Sequence, residues 1–225
     1  MSNEKTTATK NPLKLCMLSG SFEYDSEASL TIFRDYLEQN HPVQSTIVVY
    51  ATEDDDPSLA PLEDTDVLLV FTRRLNTAGE ALERFKSYCA QSKPIVGVRT
   101  ASHAYQNWLA FDKEVLGGNY QGHYGGGVVT RAEIHPGAKN HPVLRGISNF
   151  DSYGSLYKNT PIDGDATLLL TGSTEEATEP VVWTRSHRGG RVCYTSLGHQ
   201  KDFQVDMFLR FLANAVFWVG GLNTT

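Results

Sequence analysis

The chain has 225 residues, a length that predicts one domain, or one domain with an embellishment, and that suffices to bury a sizeable core. Apolar residues make up 40% and charged residues 20%, which is typical of a globular protein and excludes collagen, coiled-coil and low-complexity classes. The 26 acidic and 20 basic residues give a net charge of −6. The chain as a whole therefore has no electrostatic attraction for nucleic acid or for an anionic membrane.

The N-terminus predicts an unstructured start to the chain. Residues 1–12 are polar and charged and lack the apolar core of a secretory signal, so we expect a disordered tail before a single domain over residues 13–222. The longest apolar stretch, residues 207–222, is interrupted by Arg210 and Asn214 and is shorter than the roughly 20 clean residues of a membrane span. These features predict a cytoplasmic protein without membrane attachment.

Four apolar runs in the first half of the chain predict buried strands. Stretches with helical spacing separate them, so both faces of the resulting sheet are expected to be covered by helices. This pattern predicts an α/β fold with a doubly wound, mostly parallel sheet. The four runs are residues 13–18, 46–50, 67–71 and 94–98.

Helix boundaries are signalled at four places. Leu30, Phe33 and Leu37 follow Asp25 and Ser26, and one of these two residues is expected to cap a first helix. Residues 77–80 have the spacing of a capping box before a second helix, and a further helix can start within residues 101–108. Residues 203–219 place apolar side chains at helical spacing, and we expect this C-terminal helix to pack on the sheet.

The second half of the chain begins with a region in which the helical signal disappears. Residues 117–165 contain a glycine-rich segment and two His-Pro pairs, and a loop of this length is typical of a functional or packed insertion. Three further strands are then predicted, at residues 167–171, 181–184 and 192–195.

The loops at the carboxyl ends of the parallel strands are the expected binding region, because ligands of such sheets lie beyond those ends. These loops are residues 19–25, 72–76 and 99–103. Arg99 directly follows the fourth strand and suits a carboxylate, a phosphate or a polar sugar, or else an ion pair with an acid of a neighbouring loop. His103 and His199 each follow a strand end, and with Arg99 they are the candidate catalytic residues.

Side chains near these loops also offer groups for ligand binding. Glu23 can act as a base or bind hydroxyl groups, and aromatic side chains can form a platform for a sugar. His123 lies among glycines, which let a backbone approach a ligand closely. The predicted ligand-binding residues are Glu23, Tyr24, His123, Tyr124 and Tyr153.

Five segments of the sequence resemble a known family. They are similar to the trehalose-utilisation (ThuA-like) family, whose C-terminal signature matches the last two, and the resemblance extends from residue 14 to residue 221. It implies membership of the class I glutamine amidotransferase-like superfamily and therefore a flavodoxin-like α/β sheet. The five segments are residues 93–108, 141–146, 151–153, 180–203 and 208–221.

The amidotransferases of that superfamily place a nucleophilic cysteine in a Gly-x-Cys-x-Gly turn, and Arg99 holds the corresponding position in this sequence. A guanidinium stays protonated and is not a nucleophile, so hydrolysis of glutamine through a thioester is not expected. Many ThuA-like proteins carry a histidine there, so Arg99 departs from that pattern too. Cys16, Cys89 and Cys193 lie in apolar segments without CxxC spacing and are expected to be buried free thiols.

The resemblance implies a role in the metabolism of trehalose, related disaccharides and keto-sugars. A ketone beside a glycosidic carbon acidifies the intervening C–H bond, so His103 or His199 would remove that proton while Arg99 stabilises the enolate. Two alternatives stay open: a non-catalytic module that binds a ligand or a protein, and a metal-dependent hydrolase whose loop histidines hold a divalent metal. The expected partners are a small sugar-like ligand and, because the superfamily often self-associates, a second copy of the chain.

Overall fold

The computed structural model describes residues 11–224, and these residues form an α/β fold with one large sheet. The tail predicted for residues 1–12 falls mostly on residues 1–10, which lie outside the described residues. The strands of the described chain are β1 (Leu13–Gly20), β2 (Val43–Val49), β3 (Val67–Thr72), β4 (Ile95–Val98), β5 (Thr130–Ile134), β6 (Phe150–Ser152), β7 (Thr167–Ser173), β8 (Thr178–His187) and β9 (Gly190–Thr195). The α-helices are α1 (Ser26–Asn40), α2 (Gly79–Ala90) and α3 (Asp206–Val219).

The sheet is mixed, with the strand order β2-β1-β3-β4-β9-β8-β7-β5-β6. The pairs from β2 to β9 are parallel, and the pairs from β9 to β6 are antiparallel. The prediction of a mostly parallel sheet is therefore wrong for its second half. The reason is that β7, β8 and β9 follow one another through short turns, and short turns connect antiparallel neighbours.

Several local predictions need correction. The apolar run at residues 46–50 was expected to be buried, but β2 is an edge strand in which Gln44 and Thr46 are exposed. Residues 101–108 form parts of two 3₁₀ turns, Arg99–His103 and Gln106–Trp108, instead of starting a helix. Between the two turns the chain pairs with the loop after β3, where the backbone N–H of Gln106 donates to the carbonyl oxygen of Leu75 and the N–H of Leu75 donates to that of Ala104.

The expected helix caps do not form. Within residues 11–224, neither Asp25 before α1 nor Ala78 before α2 makes a side-chain capping hydrogen bond. The start of α1 is held instead by Ser26, whose hydroxyl accepts a hydrogen bond from the backbone N–H of Ser21 at 2.9 Å. The capping-box spacing at residues 77–80 is thus present in the sequence without its hydrogen bonds, because the N-cap position falls on Ala78.

The apolar side chains of the parallel strands divide between two core clusters, because successive residues of a strand face opposite sides of the sheet. Leu15 and Met17 of β1 pack in a cluster with side chains of α1 and α3, whereas Cys16 and Leu18 pack in a second cluster with side chains of α2. Each fully buried aliphatic side chain contributes about 1.5–3 kcal/mol to folding. In the described part of the chain, no helix is both long and apolar enough to cross a bilayer.

The three cysteines are free and buried, as the sequence predicts. Burial raises the pKa of the Cys16 thiol to about 12 and also raises the pKa values of Cys89 and Cys193. Because the thiolate is the nucleophilic form, these thiols are unreactive at neutral pH. All three lie away from the turn that follows β4.

Asp112 is a buried carboxyl group in the single helical turn Asp112–Leu116. Its Oδ2 accepts a hydrogen bond from the backbone N–H of Tyr120 at 2.9 Å, but Oδ1 has no partner among the described residues. Burial raises the pKa of Asp112 from 3.8 to about 6. Because the folded state holds the proton more tightly, this group favours folding below pH 3.8, and that contribution is lost as the pH rises to about 6.

Replacing Asp112 with Asn should therefore change the pH dependence of stability. The asparagine carries no charge to bury, so the variant should gain roughly 2 kcal/mol of unfolding free energy relative to the wild type between pH 4 and pH 6.5. Urea unfolding at several pH values measures the difference. Glu133→Gln, which removes an exposed carboxylate of β5, is the control. A constant difference between Asp112→Asn and wild type across this range would contradict the account.

Candidate active site

The turn after β4, called the elbow below, begins with a residue in a strained backbone conformation and continues as a 3₁₀ turn. Arg99 has a φ of 48°, in the left-handed region that non-glycine residues rarely adopt, and such a residue costs about 1–3 kcal/mol unless its surroundings hold it. The hydroxyl of Tyr194 donates to the carbonyl oxygen of Arg99 at 2.6 Å, and the hydroxyl of Thr100 donates to that of Ser21 at 3.0 Å. The elbow is thus tied to β9 and to the loop after β1.

The guanidinium of Arg99 is buried, with 1% of the residue exposed. Its Nη1 donates to the carbonyl oxygen of Ser196 at 2.7 Å, and its Nη2 donates to the hydroxyls of Tyr24 and Ser155 at 3.0 and 3.2 Å. The rings of Tyr24 and Tyr157 lie 4.4 and 4.6 Å from its Cζ and stabilise the charge through cation–π contacts. In the described chain, no carboxylate lies within 4 Å of this cation, and its Nε has no hydrogen-bond partner.

A glycine makes room for this guanidinium. A Cβ atom on Gly154 would lie 2.6 Å from the Cζ, Nη1 and Nη2 atoms of Arg99. Gly154 follows β6, so the edge of the antiparallel half of the sheet closes over the elbow of the parallel half. The site therefore lies where the two halves of the fold meet.

A cavity of about 440 Å³ lies beside Arg99. It is open to a ligand at the carboxyl end of the parallel strands, within the size range of small-molecule sites. Six of the eight residues predicted as catalytic or ligand-binding line it. Its wall is formed by Glu23, Tyr24, Arg99, His123, Gly126, Gly127, Val128, Val129, Tyr153, Gly154, Ser155, His199 and Lys201.

Asp202 holds two parts of the cavity wall together. Its Oδ2 accepts hydrogen bonds from the Ser152 hydroxyl at 2.7 Å and from the backbone N–H groups of Gly198 and His199 at 2.9 and 3.0 Å. Its Oδ1 accepts a hydrogen bond from the backbone N–H of Tyr153 at 2.9 Å. The buried carboxylate thereby positions His199 against the segment that follows β6.

The two histidines of the cavity wall have opposite proton arrangements. The Nδ1 of His199 accepts a hydrogen bond from the backbone N–H of Lys201 at 3.2 Å, so the neutral ring carries its proton on Nε2. The Nδ1 of His123 lies 2.6 Å from the carbonyl oxygen of Tyr124, which only accepts, so Nδ1 carries a proton and the neutral form of the ring has its free electron pair on Nε2. Burial lowers the pKa of His199, so its ring is neutral at pH 7.

His103 does not line the cavity among the described residues. Its ring stacks on Tyr120 with the ring centres 4.4 Å apart, and its Nδ1 lies 3.0 Å from the hydroxyl of Ser102. Burial, followed by the charges of Arg74 and neighbouring arginines, lowers the pKa of His103 to about 3. This histidine stays neutral and is a very weak base at physiological pH.

Tyr124 also lies outside the cavity wall. Its hydroxyl donates to Glu179 at 3.0 Å, and the backbone N–H groups of Asn159 and Thr160 donate to the same carboxylate. Tyr124 therefore anchors the glycine-rich segment that carries His123, instead of facing a ligand in the cavity. The sequence did not distinguish these two roles because Glu179 is 55 residues away along the chain.

Four of the residues around Arg99 were not predicted: Gly154, Ser155, Lys201 and the buried Asp202. Ser155 and Gly154 contact the guanidinium, and Lys201 lines the cavity mouth with its amine 5.7 Å from the centre of the Tyr153 ring. Among residues 11–224, no three His, Cys, Asp or Glu side chains come together as a metal-binding group.

Comparison with known proteins settles the family. The model of the ThuA family, described as trehalose utilisation, matches residues 15–219. The chain belongs to this family. No curated protein sequence matches it.

Solved structures show the same fold at low sequence identity. The chain is similar to ThuA-like proteins from Parabacteroides merdae, with a TM-score of 0.77, 16% identity and coverage of 95% of this chain and 92% of that one. A ThuA-like protein from Bacteroides uniformis gives a TM-score of 0.73 and 19% identity, with 99% of both chains covered. A glutamine amidotransferase from Thermotoga maritima gives a TM-score of 0.55 and 14% identity, with 92% of this chain and 98% of that one covered.

The fold of this ThuA-family chain thus agrees with the resemblance to the glutamine amidotransferase-like superfamily. In this chain the turn after β4 carries the buried guanidinium of Arg99, and no cysteine lies in that turn. Arg99 is fixed from all sides, so the elbow of this chain supplies a positive charge to the cavity and no nucleophile.

Substituting Gly154 with Ala tests the packing of Arg99. The added methyl group would displace the guanidinium from Ser196 and Ser155, and we expect a loss of about 1–3 kcal/mol of unfolding free energy from overpacking. Gly126→Ala is the matched control in the same cavity wall, because a Cβ there meets no described atom within 4 Å. Urea unfolding of both variants measures the effect, and equal stabilities would contradict the packing described above.

Proposed function

We propose that this ThuA-family chain binds a disaccharide or keto-sugar in the cavity beside Arg99 and removes a proton from it. The proposal depends on one observation: the cavity wall combines a fixed, buried cation with two histidines of opposite proton arrangement. The description of the family, trehalose utilisation, supports a sugar as the ligand.

The three side chains have complementary roles in this scheme. A ketone acidifies the neighbouring C–H bond, and the free electron pair on Nε2 of His123 accepts that proton. The electrons of the broken C–H bond move into an enolate, whose oxygen accepts a hydrogen bond from the Nε2–H of His199. The charge of Arg99 stabilises the enolate, because the guanidinium is buried and already fixed, and a charge interacts more strongly there than in bulk water.

The base in this scheme differs from the two bases considered from the sequence. His103 lies outside the cavity wall, and a pKa of about 3 makes it a poor proton acceptor near neutral pH. His199 lies in the wall, but its Nδ1 electron pair is occupied by the backbone N–H of Lys201. His123 is left as the histidine of the wall with a free electron pair.

The proposal keeps several predictions made from the sequence. These are a flavodoxin-like, doubly wound arrangement of the parallel strands, a role in carbohydrate metabolism, a cytoplasmic location and a homodimer. Glu23, Tyr24 and Tyr153 line the cavity and are proposed to contact the hydroxyl groups and apolar faces of the sugar.

Exchange of a sugar proton with solvent tests the proposed reaction. The purified chain is incubated with a keto-disaccharide in D₂O, and NMR follows the loss of the C–H signal beside the ketone. We expect the chain to accelerate the loss and His123→Gln to slow it by roughly 10²–10⁴-fold, the usual contribution of a general base. His135→Gln, outside the cavity wall, should keep the rate. The proposed chemistry would be refuted if the C–H proton exchanged no faster with the protein than without it. It would also be refuted if His123→Gln exchanged this proton at the wild-type rate.

A further inference from the structure

The charges around the cavity are unbalanced. Glu23 is the carboxylate of the cavity wall, and it is already paired with Arg73 at 3.2 Å. Arg99 and Lys201 also lie in the wall, and neither has a carboxylate within 4 Å in the described chain. The whole protein carries a net charge of −6, so a positively charged cavity contrasts with the rest of the molecule.

Asp202 does not remove this imbalance. It acts on Arg99 electrostatically, but its two oxygens already accept four hydrogen bonds, from Ser152, Tyr153, Gly198 and His199. The wall and its direct ion-pair and hydrogen-bond partners include three cations, Arg73, Arg99 and Lys201, and two carboxylates, Glu23 and Asp202. A cavity with this charge attracts anions and holds them more strongly than neutral molecules.

The surroundings of Arg99 support the same conclusion. A buried cation without a carboxylate in contact is costly, and here the Tyr24 and Tyr157 rings and four oxygen acceptors on Ser196, Tyr24 and Ser155 offset that cost. Its Nε–H stays buried without a partner in the described chain. An anion in the cavity would supply the missing counter-charge.

We propose that the ligand of this cavity carries a permanent negative charge, as a sugar with a carboxylate or a phosphate group. This inference rests on the proposed function and narrows it from sugars in general to acidic sugars. A neutral sugar gains little from Arg99 and Lys201 beyond ordinary hydrogen bonds. The anionic oxygens of an acidic sugar satisfy both cations, while the aromatic and apolar wall contacts its ring.

Calorimetric titration of the full chain with matched sugars tests the inference. D-Glucose, D-glucuronate and D-glucose 6-phosphate share a ring and differ in charge, and acetate and inorganic phosphate serve as anions without a sugar. We expect at least one acidic sugar to bind about tenfold or more tightly than glucose, with a difference that shrinks at high salt. A comparison of the affinities for D-glucuronate and D-glucose 6-phosphate shows whether the cavity prefers a carboxylate or a phosphate group.

Each other outcome has a definite meaning. If glucose binds as tightly as both acidic sugars, the inference fails and the proposed function stands. If acetate or phosphate binds as tightly as the acidic sugars, the cavity is a simple anion site and the sugar specificity fails. If none of the three sugars binds, the inference is overturned, whereas the proposed function is decided separately by the exchange experiment with the keto-disaccharide.

A surface variant tests the role of the charge without disturbing the core. Lys201→Gln removes an exposed cation of the wall, and we expect it to lower the affinity for the acidic sugar about tenfold and to reduce the difference in affinity between the acidic sugar and glucose. Lys139→Gln, an exposed lysine outside the cavity wall, is the matched control. If both variants lose the same affinity for the acidic sugar, or if Lys201→Gln loses none, Lys201 does not bind the negative charge of the ligand.

Discussion

The buried guanidinium of Arg99 is the constraint on which the rest of the site depends. A cation in a protein interior requires hydrogen-bond acceptors on its edges and polarisable groups on its faces. Ser196, Tyr24 and Ser155 supply acceptors from three separate segments of the chain, and the ring of Tyr157 completes the surroundings. Folding of these segments around one charge therefore also builds the wall of the cavity.

The mixed sheet explains why the cavity lies where it does. The parallel half supplies the elbow and the loop after β1, as expected for ligands at the carboxyl ends of parallel strands. The antiparallel half supplies Tyr153 and Gly154 after β6, and Asp202 ties this segment to the loop after β9. A parallel sheet alone would leave Arg99 open to solvent on the side that Gly154 covers.

Much of the fold could be predicted from the sequence, because buried strands and amphipathic helices leave local patterns. The runs that became β1, β3 and β4 are continuously apolar, and α3 repeats its apolar residues at helical spacing. β5 and β6 could not be recognised, since both are short and partly polar and pair with partners distant in the chain. The expected caps failed because Asp25 has a left-handed backbone with a φ of 45°, unlike the extended backbone of an N-cap residue, and because the N-cap position of α2 falls on Ala78.

The site was predictable only in part, because several of its contacts join residues that are distant in the chain. Arg99 and His199 follow strand ends, and that position alone places them near the cavity. His103 lies in the same turn as Arg99, but its ring stacks on Tyr120, and a side-chain direction after a left-handed residue cannot be deduced from spacing. Asp202 and Ser155 act through contacts between segments about 50 or more residues apart, for which the sequence carries no local pattern.

The state of the Arg99 Nε–H group tests this account most directly. In ¹H–¹⁵N NMR spectra, its resonance is assigned by its absence in Arg99→Lys. The account predicts that this proton exchanges slowly with water, because the group is buried and fixed, and that its chemical shift changes when an acidic sugar enters the cavity. Rapid exchange with water, together with a shift that no sugar changes, would contradict the central role of the buried cation.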